Sequence, residues 1–153
     1  MISAVCRLKL PAVALAILFF TGSTVLAGPL TVVSLNLARE NSADRILEEI
    51  RGVRAIRNAD VFLLQEVVRD DDSTLSVSEE LAARMGYYSV FAPAFTLGPG
   101  VTEGIAIVSR FPLSGTETLP LKSCDVLFRT RSRIALGSTV VTPSGNIRVF
   151  NAH

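Results

Sequence analysis

Beyond residue 27 the chain alternates between short apolar runs and longer amphipathic stretches. Leu30 to Leu37 is apolar and β-branched, with Val32 and Val33 at its centre, and predicts a buried strand. Asn41 to Asn58 carries Ile46, Leu47, Ile50 and Val53 at helical spacing. Asp44 falls in the first turn of that helix, where the dipole favours an anion. Gly52 weakens its second half by about 1 kcal/mol relative to alanine. Val61 to Leu64, bounded by Asp60 and Gln65, predicts a second strand. Ser76-Val77-Ser78-Glu79 is a capping box that opens a second helix. Leu81, Ala82 and Met85 form its inner stripe and Gly86 stops it. Tyr88 to Ala92 predicts a third strand, Pro93 to Thr102 a loop around Gly98-Pro99-Gly100, and Gly104 to Val108 a fourth strand ended by Arg110-Phe111-Pro112. Arg133 to Val141 and Ile147 to Ala152 flank Thr142-Pro143-Ser144-Gly145-Asn146 as a hairpin. Strand, helix, strand, helix, then mainly strands predicts an α/β or α+β sandwich with helices outside a sheet.

The first 27 residues follow a different pattern. Arg7 and Lys9 precede an uncharged apolar run from Leu10 to Phe20, and Val25-Leu26-Ala27 offers small residues where a signal peptidase reads. This predicts a signal peptide over 1–27, cleaved after Ala27, and a secreted or periplasmic product without a stable membrane span. An uncleaved anchor is the alternative, but the run is shorter than the ~20 residues a spanning helix needs. Cleavage leaves Cys124 as the single cysteine, either a buried thiol or half of a bridge. A length of 153 residues suits one domain, and a net charge of +1 gives no basic surplus of the kind that marks a dedicated nucleic-acid binder. The sequence stops at His153 inside an apolar strand pattern, so 28–153 is expected to be the N-terminal part of a longer domain.

Three polar interruptions change the picture. Asn36, Gln65-Glu66 and Asn151-Ala152-His153 each follow an apolar run, at strand ends, where α/β sheets bind ligands. A carboxylate there must be paired, hydrogen-bonded or bound to a metal. A solvated strand-end Glu66, a surface Glu103 and a frayed His153 are the structural alternatives. Arg129, Arg131 and Arg133 alternate and would share a strand face, more simply a solvated basic edge than a phosphate site. Asp70-Asp71-Asp72 reads as a loop rather than a cation site.

The wording of these segments carries a resemblance. Val33-Ser34-Leu35-Asn36, Asp60-Val61-Phe62-Leu63-Leu64-Gln65-Glu66-Val67, the run from Glu103 to Pro112, and Asn151-Ala152-His153 occur in this order. In these pieces the chain resembles the endonuclease/exonuclease/phosphatase superfamily. The resemblance implies a four-layer α/β sandwich of the deoxyribonuclease-like type, of which this chain supplies about the first half. It implies Glu66 as a metal ligand, with Asn36 helping to hold metal and phosphate, and Mg²⁺ (or Mn²⁺ or Ca²⁺) as cofactor, since hard cations prefer carboxylate oxygen. It implies His153 at the scissile phosphate or leaving oxygen, Glu103 as the acid that orients that histidine, and Asn151 beside them as a substrate-binding residue.

The expected function is therefore an exported phosphodiesterase or phosphatase, monomeric when complete. Its substrate, whether nucleic acid, phospholipid or sugar phosphate, is left open. The alternative is a non-catalytic secreted binding domain of the same fold. Two departures bear on this choice. Deoxyribonuclease-like members carry arginine two residues after the glutamate, where this chain has Val68, with Arg69 one step later. The family's later Gly-Asp-x-Asn and Asp-His motifs do not occur in these 153 residues, so the chain as given is expected to be inactive.

Overall fold

A computed structural model describes residues 28–122 and 132–153. The signal-peptide segment 1–27, Cys124, Arg129 and Arg131 lie outside the described residues.

The chain runs β1 (Val32–Asn36), α1 (Ala43–Gly52), β2 (Val61–Asp70), α2 (Val77–Met85), β3 (Tyr88–Gly98), β4 (Val101–Ser109), β5 (Leu113–Leu121), β6 (Arg133–Thr142) and β7 (Gly145–Ala152). Four strands form one sheet in the order β1-β2-β4-β3, and three form a second in the order β5-β6-β7. Among the described residues β1 and β2 pair in parallel, because the crossover through α1 joins them, and the other pairs are antiparallel.

Local chemistry sets the helix ends. The Ser42 hydroxyl caps α1 by accepting from the Arg45 amide at 3.3 Å. The helix stops at Gly52, short of the predicted Asn58, at the residue of weakest helical propensity. The capping box of α2 forms as predicted, with the Ser76 amide donating to Glu79 Oε2 at 2.7 Å. Gly86 ends α2 at φ +69°, which costs glycine nothing.

The larger sheet has a distinct core on each face. On one side Phe62 and Leu64 pack with Ile46, Leu47 and Ile50 of α1 and Leu81 of α2. On the other, Val61, Ile105 and Ile107 meet Leu136 and Val140 of the second sheet. The order is therefore helices, sheet, sheet, a mixed α/β sandwich consistent with part of the expected architecture. Among the described residues no helix is long and apolar enough to cross a membrane.

Besides the shorter α1, three stretches differ from the sequence expectation. β2 continues past Leu64 to Asp70. Pro93 to Thr102 is mostly strand, closing a β3–β4 hairpin rather than forming a loop. Leu113 to Leu121, which no apolar pattern marks, is a strand at the edge of the second sheet.

Candidate active site

β1 delivers Asn36 beside Gln65 of β2. There the chain turns sharply: Asn36 Oδ1 accepts the Ala38 amide at 2.8 Å, the side chain-to-backbone bond asparagine favours in turns. Ala38 and Arg39 both take left-handed backbone, at φ +49° and +64°. The turn carries Arg39 to β4, where its Nε donates to Glu103 Oε2 at 2.5 Å. Glu103 is 4% exposed, and a carboxylate so buried needs a charged partner. Hydrogen bonding to Glu103, then its charge, pushes the Arg39 guanidinium above its ordinary pKa.

Glu66 stands at a bulge. The β2–β4 register shifts between Leu64 and Val67, and Glu66 has φ +51°. Strand alternation explains the consequence. Phe62 and Leu64 face the helices, so a regular strand would send Glu66 into the same apolar core. The extra residue re-aims it, and Val67 joins the helix-side core instead. The freed carboxylate accepts from Asn36 Nδ2 at 2.9 Å and lies 4.0 Å from His153 Nε2, both through Oε1. The described non-glycine residues at positive φ are Ala38, Arg39 and Glu66. Such backbone costs on the order of 1–3 kcal/mol per residue and concentrates at functional sites.

Arg39, Glu66, Glu103, Arg133 and His153 line one cavity of about 240 Å³, with Gly104 in its wall. Of the residues singled out from sequence, Glu66, Glu103 and His153 meet here. Asn36 joins through its bond to Glu66 and itself lines the adjoining groove. Asn151 lies in the interior at 2% exposure, its amide bonded to the larger sheet. Glu103 bonds Arg39, and the carboxylate beside His153 is that of Glu66. Arg39 carried no sequence signal, because only the turn and the buried Glu103 bring it in. Val68 is core, and Arg69 lies over the Phe91 ring at 5.5 Å, away from the cavity. Asp70 ends β2, and Asp71 accepts from Thr102 Oγ1 at 3.4 Å.

Among the described residues no three His, Cys, Asp or Glu side chains gather closely enough to hold a metal alone. Glu66 nevertheless fits a hard divalent cation as one ligand. Its Oε1 is oriented by Asn36, and the carboxylate opens on the cavity that Arg39, Arg133 and His153 also line, with room for water. Asn36 turns its nitrogen to Glu66 and its oxygen to Ala38, which suits orienting the carboxylate.

Residues 33–148 match the Endonuclease/Exonuclease/phosphatase family. The chain belongs to that family. No curated protein sequence matches it. Among solved structures it resembles an endonuclease/exonuclease/phosphatase family protein from Leptotrichia buccalis C-1013-b, at TM-score 0.61 and 17% identity over 82% of this chain and 55% of that one. It also resembles a β-hairpin deletion mutant of beta toxin from Staphylococcus aureus, at TM-score 0.58 and 18% identity over 82% and 51%. A third is ANGEL2, a 2',3'-cyclic phosphatase solved with adenosine-2',3'-vanadate, at TM-score 0.51 and 24% identity over 72% and 31%. At these identities the likeness is one of fold. The chain spans about half the length of the first two structures.

Proposed function

We propose that the full-length protein is an exported hydrolase of phosphoesters that works with a divalent cation, Mg²⁺ before Mn²⁺ or Ca²⁺, held in part by Glu66. The carrying observation is convergence: the β1 turn, the β2 bulge, β4 and the end of β7 bring Arg39, Glu66, Glu103 and His153 to one cavity. Membership of a family named for nucleases and phosphatases supports the reaction class, as does a structural neighbour named a 2',3'-cyclic phosphatase. The pattern Arg7/Lys9, Leu10–Phe20, Val25-Leu26-Ala27 supports export.

Each residue has a defined task on this reading. Asn36 holds the Glu66 carboxylate in one orientation. A bound divalent cation supplies positive charge beside the phosphate, where negative charge grows during displacement. Glu103 fixes the Nε side of Arg39 and leaves its other N–H groups to meet a phosphoryl oxygen. His153, half exposed at the mouth, donates a proton or hydrogen bond at the leaving oxygen.

Glu66→Gln tests the reading in the full-length protein. The exported product is expected to begin at Gly28 by intact mass. Turnover of bis-p-nitrophenyl phosphate and Mg²⁺ binding by calorimetry are then compared with wild type. The variant is expected to fold, to bind Mg²⁺ more weakly and to lose on the order of a hundredfold in turnover. A folded variant with the wild-type Mg²⁺ midpoint and rate would remove Glu66 from the site.

A further inference from the structure

Asn151 belongs to the three-stranded sheet, yet its amide is directed wholly into the four-stranded one. Its Nδ2 donates to the Leu64 carbonyl at 2.8 Å and to the Ala106 carbonyl at 2.9 Å. Its Oδ1 accepts from Gln65 Nε2 at 2.7 Å. Both donor hydrogens and the acceptor are thus used, as burial of an amide demands.

The two carbonyls stand at a particular place. Leu64 and Ala106 are register partners, the last regular pair before the β2–β4 ladder shifts. Gln65 comes next and also donates to the Leu63 carbonyl at 3.0 Å. Glu66 follows with its left-handed backbone. Asn151 therefore grips both strands at the mouth of the bulge and, through Gln65, the residue that enters it. A bulge displaces a strand's normal ladder bonds, so something else must fix its geometry. A slip of one residue would send the Glu66 carboxylate into the helix-side core.

We infer that Asn151 is a positioning residue: it holds the β2 bulge in register and so keeps Glu66 turned into the cavity. The same strand sets the site's second member. His153 lies two residues beyond Asn151 and places Nε2 4.0 Å from Glu66 Oε1. Anchoring β7 through Asn151 fixes the spacing of both groups. The clamp stands on geometry alone, and its consequence for a bound cation rests on the function proposed above.

The test uses the full-length protein and Asn151→Leu, which keeps the side-chain volume and removes all three bonds. Ser138→Ala, another buried polar site on β6, is the control. The scalar coupling between the Glu66 amide and α protons reports its φ, and calorimetry without substrate reports the Mg²⁺ midpoint. Asn151→Leu is expected to move the coupling into the extended-strand range and raise the midpoint at least tenfold, while Ser138→Ala leaves both unchanged. In the wild type, the Asn151 side-chain amide protons are expected to exchange with solvent as slowly as core backbone amides. Rapid exchange there overturns the clamp even if Asn151→Leu does not fold. A folded Asn151→Leu with the wild-type coupling also overturns it, and a lost bulge with an unchanged midpoint overturns the positioning role. Failure of the proposed function looks different: Glu66→Gln would leave the midpoint unchanged while Asn151→Leu still shifts the coupling.

Discussion

A glutamate at φ +51° sits where asparagine is tolerated and a β-branched residue is not. This separates stability from activity at position 66. Glu66→Asn relieves the backbone, so full-length Glu66→Asn is expected to melt no lower than wild type. Its amide is too short to take the place of the carboxylate, so turnover is expected to fall as for Glu66→Gln. Glu66→Val is expected to lose about 1–3 kcal/mol of stability. Thermal unfolding followed by circular dichroism ranks the three, and a Val variant as stable as the Asn variant would show that the bulge is not strained. Sequence singled out Glu66 because a carboxylate at the end of Phe62-Leu63-Leu64 has no place in an apolar core. It could not reveal the bulge, which Asn151 holds from another strand through Gln65 and the Leu64 and Ala106 carbonyls. Arg39 was illegible for the same reason, since its place depends on a partner 64 residues away.

At the scale of elements, legibility followed the strength of local signals. The capped helix α2, the first half of β2 and the body of β4 read plainly, because apolar spacing and caps are local signals. Two of the misread stretches belong largely to edge strands. β3 and β5 each end a sheet, and each contains a proline, Pro93 and Pro120. An edge strand tolerates proline because one side of its ladder has no partner. A chain read without knowledge of edges takes the same residue as a loop signal. Gly104 illustrates the opposite case, a glycine inside a central strand. A methyl group there would overlap the Ala92 carbonyl oxygen and lie 2.8 Å from Phe91 Cε2, where β3 crowds β4. Backbone cannot yield as a flexible side chain does. Gly104→Ala in the full-length protein is expected to cost about 3 kcal/mol, or roughly 6–12 °C in Tm. An unchanged Tm would mean that β3 can move aside. Glu103 and the cavity wall would then rest on a looser frame than described.

At the scale of the molecule, the two sheets are covered unequally. The four-stranded sheet has helices on one face and the second sheet on the other. The second sheet turns Leu136 and Val140 inward, so by strand alternation Leu119, Leu121, Val141 and Phe150 face away from the core. These four are 41%, 42%, 36% and 51% exposed. Partial cover comes from Arg148, which pairs with Glu117 and lies over the Phe150 ring at 5.2 Å. Exposed apolar side chains gathered on one sheet face favour association. Residues 28–153 expressed alone are therefore expected to self-associate and to bind a hydrophobic dye. Replacing Leu119, Leu121 and Phe150 together by serine is expected to reduce both. The three serines remove apolar surface from the outer face and leave the inner cluster of Val61, Ile107, Leu136 and Val140 untouched, so secondary structure by circular dichroism should persist. Sedimentation velocity and dye fluorescence on the two polypeptides make the comparison. If the unsubstituted segment is already monomeric and dark to the dye, the face is innocuous. If the triple variant associates as strongly as its parent, association runs through another surface, for which the open edge of β1, with half-buried Val33 and Leu35 beside it, is the structural candidate.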